Sequence, residues 1–138
     1  EGTVFADMTT LSTAKLSQVM SFNDGTSSNR FELRLVGSAA ANIRADCTVA
    51  GITKFSSSNV VVGDISRRLG ALAVKANDFR LQSGSIGTSP ASDAVPAVDR
   101  VYLNYATFAG AEMNGTLRRL TYFPQRLSNP TLQAITQP

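Results

Sequence analysis

The sequence contains no histidine, no tryptophan and a single cysteine, Cys47. Without histidine, the chain lacks the base of the usual serine triad, the commonest zinc ligand and the commonest general acid or base. A lone cysteine forms neither an intrachain disulfide nor a thiolate metal site. Because Cys47 alternates with Ile43 and Ala45 on the apolar face of a predicted strand, we interpret it as a small buried hydrophobic residue and not as a reactive thiol.

Long apolar runs and dense basic clusters are missing too. No segment approaches the roughly 20 apolar residues of a membrane span, and no signal peptide is recognisable, so we expect no membrane insertion. The 13 basic residues exceed the 10 acidic ones only slightly and are scattered along the chain. A nucleic-acid-binding face would need a denser basic stripe with interleaved aromatic residues, and we therefore expect no nucleic-acid partner.

Short alternating segments separated by turn residues are the pattern that the chain does contain. The alternation is clearest over residues 30–36, where Phe31 and Leu33 fall on one face and Glu32 and Arg34 on the other. We interpret the apolar face as core and the charged face as solvated, and residues 42–49 repeat the pattern. In all, we predict strands over 3–8, 14–22, 30–36, 42–49, 52–55, 59–62, 69–76, 79–82, 98–105 and 117–123.

Three further segments complete the predicted architecture. The apolar run 69–76 is predicted to be a central strand buried on both faces, and residues 85–96, which are small and polar with two prolines, are predicted to be a loop. Ser128 or Asn129 is expected to cap one short helix that tolerates Pro130 in its first turn. The pattern predicts an all-β sandwich of two sheets in a single domain, 1–138, but it does not distinguish a jelly roll from an immunoglobulin-like sandwich.

The segment that distinguishes them is 115–136, Gly-Thr-Leu-Arg-Arg-Leu-Thr-Tyr-Phe-Pro-Gln-Arg-Leu-Ser-Asn-Pro-Thr-Leu-Gln-Ala-Ile-Thr. It closely resembles the ending of concanavalin A-like (laminin G-like) jelly-roll domains in tail fibre, tail spike and other surface-exposed proteins of bacteriophages and prophages. Segments 22–33, 73–81 and 98–103 agree in order and spacing. The resemblance implies a two-sheet antiparallel jelly roll with one short C-terminal helix, whose first and last strands lie side by side.

The same resemblance implies a setting and a function. We expect a piece of a larger phage protein on the exterior of the virion, folded in the host cytoplasm, with other virion subunits as neighbours in a homotrimer. The leading hypothesis is a non-catalytic attachment module that binds a bacterial surface polysaccharide or other glycan, with avidity supplied by multiple copies. The alternative is a structural or decoration module that packs on neighbouring subunits without a ligand.

A glycan-cleaving enzyme is a third, weaker possibility, because glycoside hydrolysis needs only two carboxylates. The Glu-x-Asp-x-x-Glu strand signature of glucanases that resemble this fold is absent from the sequence. The candidate carboxylates Glu32 and Asp46 stand on separate strands beside arginines, which favour the ionised form and are unsuited to a general acid. We therefore predict that the domain is not an enzyme.

Sugar binding requires an aromatic or arginine plane against the C–H face of the sugar and planar polar groups for its hydroxyls. The candidates are Arg34, Arg44, Asp46, Asn77, Tyr102, Asn104, Tyr105 and Phe108. Tyr102 alternates with Val101 and Leu103, so its ring could instead belong to the core.

Calcium is the one cofactor that the sequence leaves open; we expect no other. Asn23, Asp24, Asn77 and Asp78 offer the hard oxygen ligands that Ca²⁺ prefers. The same residue types occur at turns for backbone geometry alone, because they tolerate left-handed conformations and bond their own backbone.

Overall fold

The computed structural model describes residues 1–10, 17–36, 42–60, 67–88, 94–103, 113 and 115–137, with the backbone alone at residues 10 and 58–60. Within these residues the strands are β1 Gly2–Thr10, β2 Ser17–Asn23, β3 Arg30–Val36, β4 Asn42–Val49, β5 Ile52–Val60, β6 Arg68–Lys75, β7 Asp78–Ser83, β8 Ile86–Thr88, β9 Arg100–Leu103 and β10 Gly115–Phe123. One helix follows them, α1 Asn129–Ile135. No helix in the described residues has the length and apolar character that a membrane crossing requires.

The strands form two five-stranded sheets in which every neighbouring pair is antiparallel. Sheet A has the order β10-β1-β6-β7-β8, and sheet B has the order β5-β4-β3-β2-β9. The first and last strands pair from Thr3 with Phe123 to Thr10 with Gly115, with an irregularity between Asp7 and Met8. The predicted all-β jelly-roll sandwich with one short C-terminal helix is therefore confirmed.

The main core lies between the inner faces of the two sheets. Phe79 of sheet A joins the two sheets there, since its ring centroid lies 5.9 Å from that of Phe31 and 5.9 Å from that of Phe55, both in sheet B. Cys47 is fully buried in the same core, as predicted, and burial raises the pKa of its thiol to about 12. The alternation of apolar residues in the strands thus predicts the inner faces correctly.

Helix α1 covers the outer face of sheet A. Leu132, fully buried, packs with Phe5, Leu69 and the two alanines of β6 that point away from the main core. Central strand β6 is consequently buried on both faces, as predicted. The Ser128 hydroxyl caps the helix by accepting a bond from the Thr131 amide at 3.3 Å, with proline in the first turn.

Three predicted features differ from the structure. The serine loop predicted between strands 52–55 and 59–62 is wrong, because β5 runs without a break and its serines pair with Asp46, Ala45 and Arg44 of β4. Backbone pairing does not require residues of high β propensity. Strand β8 lies inside the predicted loop 85–96, and the strand predicted at 98–105 begins at Arg100. Residues 14–16, 61–62 and 104–105 of the predicted strands lie outside the described residues.

Candidate functional site on the outer face of sheet B

Strand pairing aligns polar side chains in rows across the face of sheet B that points away from the core. One row crosses all five strands through Tyr102, Ser21, Glu32, Asp46 and Ser56. We call this surface the polar face. Its members on strands β2, β3, β4, β5 and β9 are Gln18, Ser21, Asn23, Arg30, Glu32, Arg34, Arg44, Asp46, Thr48, Ser56, Arg100 and Tyr102.

Three arginines and two carboxylates form a continuous ion-pair network at the centre of the polar face. Glu32 Oε2 accepts a hydrogen bond from Arg30 Nε at 2.8 Å and another from Arg34 Nη2. Asp46 accepts bonds from Arg44 Nε at 3.0 Å to each carboxylate oxygen and lies 3.6 Å from Arg34 Nε. The Arg34 guanidinium therefore bridges the two carboxylates. With three arginines and two carboxylates, the network has a net charge of +1.

The network is packed and largely withdrawn from solvent. Glu32 has no exposed surface, and Arg34 and Asp46 are buried as well. The predicted solvated charged face is therefore wrong. Alternation identifies which side chains point away from the core, but it does not reveal that long arginine side chains lie flat across their neighbours and exclude water from them. Because an unpaired buried charge is costly, each partner holds the others in place.

Arg44 and Tyr102 are two members of the polar face that keep part of their side chains exposed beside this network. The Arg44 side chain keeps 37% of its surface exposed, although its guanidinium also bonds Asp46 Oδ1 at 2.9 Å. Tyr102 is 37% exposed and pairs with Ser21, so its ring lies on the polar face and not in the core. The inward positions of β9 are taken by Val101 and Leu103. An aromatic plane and a guanidinium are thus presented on the same side of one sheet.

Arg100 begins strand β9 at the end of the polar face. Its guanidinium bonds both oxygens of Asp99, at 2.8 and 3.3 Å. The Asp99 carboxylate, with a smaller contribution from the Tyr102 hydroxyl, raises the pKa of Arg100, and the guanidinium in turn lowers the pKa of Asp99. This exposed pair is fully charged at neutral pH and adds no net charge to the face.

The structure brings together four of the residues predicted for sugar binding, Arg34, Arg44, Asp46 and Tyr102. Asn77 is not among them, because it lies in the turn between β6 and β7 of sheet A. Asn104, Tyr105 and Phe108 lie outside the described residues. Contact of these side chains with a ligand stays a prediction.

Arg30 and Glu32 belong to the network but are not among the residues predicted to bind a sugar. Their alternation was visible over residues 30–36, and it indicated only that they point away from the core. The pairing of β3 with β4, which places Glu32 beside Asp46, could have identified them.

The candidate calcium ligands are separated between the two sheets and engaged in turns. Asp24 accepts bonds from the Thr26 amide at 2.9 Å, the Thr26 hydroxyl at 2.6 Å and the Asn29 amide at 2.8 Å, and Asn23 accepts one from the Gly25 amide at 2.8 Å. These bonds close the β2–β3 loop, where Gly25 has a φ of +87°.

The second pair forms the β6–β7 turn. Asn77 has a φ of 62°, and Asp78 accepts a bond from Arg126 at 2.9 Å. In the described part of the chain, no three His, Cys, Asp or Glu side chains are grouped to hold a metal ion. Calcium binding at Asn23, Asp24, Asn77 or Asp78 stays a prediction, and it would have to compete with these hydrogen bonds.

The Asp24 turn makes stability depend on acid pH. The Thr26 hydroxyl, followed by Asn29, lowers the pKa of Asp24 from 3.8 to about 2. A carboxyl whose pKa is lower in the folded state stabilises the fold above its unfolded value, and this contribution disappears as the pH falls through the folded value. Wild type should therefore be more stable than Asp24→Ala at pH 5, and the difference should shrink between pH 3.8 and 2. Urea unfolding at several pH values measures it, and a difference that stays constant down to pH 2 would contradict the assignment.

Comparisons with known proteins identify related folds for the chain but no sequence family. The chain matches no protein-family model, and a comparison with curated proteins finds no match. Among solved structures, the CBM40 of Ruminococcus gnavus IT-sialidase bound to alpha2,3 sialyllactose has a TM-score of 0.81 at 20% identity, over 99% of this chain and 82% of its own. The same CBM40 bound to alpha2,6 sialyllactose gives 0.78 at 19% identity, over 98% and 82%.

A larger protein also contains this fold. The leech intramolecular trans-sialidase complexed with 2,7-anhydro-Neu5Ac has a TM-score of 0.78 at 17% identity, over 98% of this chain but only 23% of that one. At these identities the likeness is one of fold. The chain has the jelly-roll fold of sialidase carbohydrate-binding modules, which is related to that of concanavalin A-like lectins.

Proposed function

We propose that this domain is a non-catalytic glycan-binding module, that the polar face is its binding surface, and that its preferred ligand is a sugar bearing a carboxylate. The observation that carries the proposal is the group of three arginines, Arg30, Arg34 and Arg44, which we call the arginine row. Their guanidinium groups are held in place by two carboxylates. The excess positive charge lies on a polar sheet face, where a sugar ring can lie flat.

Arginine chemistry explains the preference for an acidic sugar. A guanidinium carries five N–H donors in a planar fork that matches a carboxylate, and the bonds to Glu32 and Asp46 use only some of these donors. The side chains of Arg34 and Arg44 are already ordered by ion pairs, so a ligand would lose little affinity to their immobilisation. Arg44 is the most exposed of the three and is placed to contact the ligand first.

Tyr102 on the polar face supplies another contact that a sugar needs. It offers a partly exposed ring to the C–H face of a pyranose. The Ruminococcus gnavus module, which shares this fold, was solved with alpha2,3 and with alpha2,6 sialyllactose. Sialic acid carries the kind of carboxylate that the arginine row suits, which supports a sialylated or similarly acidic glycan as the ligand class.

The network also favours binding over catalysis. A glycosidase needs one carboxyl group that holds a proton for the leaving oxygen. The oxygens of Glu32 and Asp46 are instead engaged in N–H bonds from the guanidinium groups. We therefore propose that both act by positioning arginines.

We extend the proposal to the setting of the domain. The resemblance of residues 115–136 to phage jelly-roll domains supports a place on the exterior of a phage particle, with a bacterial surface glycan as ligand and other virion subunits as neighbours in a homotrimer. Several copies on one particle would raise the effective concentration and compensate for weak binding by each copy.

Isothermal titration calorimetry with 3′-sialyllactose, 6′-sialyllactose and lactose tests the ligand class. We expect the sialylated sugars to bind and lactose to bind more weakly. Arg44→Gln should weaken sialyllactose binding by about 10- to 150-fold, the range expected for losing a charge-assisted hydrogen bond. Arg118 is an exposed arginine on sheet A, and Arg118→Gln is the matched control: it makes the same change of charge and should leave binding unaltered. Equal binding of lactose and sialyllactose, or equal losses in the two variants, would disprove the proposal.

A further inference from the structure

A second concave site lies between the two sheets, at the end of the sandwich next to β9 and β10. It is a cavity of about 540 Å³. Its apolar walls come from both sheets and from the segment that leads into β9, and they include Val4, Leu72, Val74, Phe22, Phe31 and Val98. These are inward-facing positions, so the cavity is separate from the polar face, which lies on the other side of sheet B.

The size and character of the cavity distinguish it from a packing defect. Protein interiors contain few voids larger than a water molecule, whereas ligand sites span roughly 300–1,000 Å³ and are mostly apolar. Two large apolar side chains at the rim remain open to solvent, Tyr122 at 56% and Val101 at 48%. Exposed apolar groups around an apolar cavity are typical of a binding site for an apolar molecule.

The charged residues at the rim of the cavity favour a ligand whose polar end is uncharged. Asp99 and Arg100 line the cavity and neutralise each other. The other charged residues of the lining, Glu1 and Glu32, are paired with Lys75 and with the arginines of the polar face. The Asp99–Arg100 pair thus presents acceptors and donors side by side without a net charge, which suits hydroxyl groups and offers nothing to a lone cation or anion.

We propose that this cavity binds the apolar chain of a neutral amphiphile, with the hydroxyl-bearing head group of the amphiphile at Asp99 and Arg100. The site goes beyond the glycan-binding function, because its apolar walls lie on the inner side of sheet B. Two residues of the polar face also line it, namely Arg100, which lies opposite Asn23, and Glu32, which pairs with Arg34.

Methyl NMR during a titration with octyl glucoside, below its micelle concentration, tests the site. The methyl signals of Val4, Leu72 and Val74 should shift and saturate, while those of Leu132 and Ile135 on helix α1 should not move. Glucose alone should leave all of them unchanged. Shifts at the helix α1 methyls of the same size as those in the cavity, or no shifts in the cavity, would overturn the proposal.

Variants and charged probes sharpen the test. Val74→Phe fills the cavity and should weaken octyl glucoside binding at least tenfold, with sialyllactose binding unchanged; Val98→Phe serves the same purpose should the first variant fail to fold. Unchanged octyl glucoside affinity in the folded variant would exclude the cavity as the site. Tighter binding of octanoate or of octyltrimethylammonium than of octyl glucoside would contradict the proposal that the head group is neutral.

Discussion

Glu32→Ala is expected to lower the free energy of unfolding by about 3–5 kcal/mol, the range for removing one partner of a buried ion pair. Glu32 has no exposed surface and bonds both Arg30 and Arg34, whose side chains are only 14% and 10% exposed. Without the carboxylate, two guanidinium groups remain close together and poorly solvated. The large cost arises from these uncompensated charges more than from the lost attraction itself.

Denaturant unfolding of wild type and variant measures this cost. Lys75→Ala is the matched control, because the Lys75–Glu1 pair, at 3.7 Å, is exposed on both sides. Exposed pairs contribute about 0–1 kcal/mol, so the control should unfold nearly as wild type does. A cost below about 1 kcal/mol for Glu32→Ala would mean that the centre of the polar face is solvated, and the picture of a packed ion-pair network would fail.

Phe79→Ala is expected to cost about 3–5 kcal/mol, the range for removing a buried aromatic ring from a core. Phe79 is fully buried and is the ring by which β7 of sheet A contacts Phe31 and Phe55 of sheet B. Each of these tilted pairs at 5.9 Å also contributes beyond the area that it buries. Removing the ring leaves a cavity between the two sheets that rigid strands cannot fill.

Thermal or urea unfolding tests this second prediction. Tyr122→Ala provides the comparison, since its ring is more than half exposed and should cost much less. Similar costs for the two substitutions would show that the sheets are not held together at Phe79. The native sheet pairing would then have to depend on contacts elsewhere in the core.

Much of the fold was predictable because strand periodicity is a local property. Alternation over 30–36 and 42–49 gave the inner and outer faces of β3 and β4, and the apolar run 69–76 gave a strand covered on both sides. The pairing of β1 with β10 joins residues more than 100 positions apart. It was predicted only through the resemblance of the C-terminal segment, since no local pattern specifies such a pair.

The site was predictable only in part, because it depends on how side chains pack against one another on the face of the sheet. Arg34, Arg44, Asp46 and Tyr102 were chosen for chemistry, and the register of three strand pairs then placed them on one face. Glu32 is buried because Arg30 and Arg34, two residues before and after it on the same face of β3, both bond its carboxylate. Alternation shows that the three side chains share a face, but it does not show that the guanidinium groups cover the carboxylate. The position of Asn77 on the other sheet was not predictable either, since turn chemistry does not reveal which sheet a turn belongs to.

The central claim is that an acidic glycan binds to the arginine row of the polar face. The side-chain Nε–Hε NMR signals of the arginines test it directly during a titration with 3′-sialyllactose. The account predicts saturable shifts for Arg34 and Arg44, with no change at Arg119 on sheet A or at Arg126 beside helix α1. Shifts at Arg119 or Arg126 with the signals of Arg34 and Arg44 unmoved would place the ligand elsewhere and contradict the account.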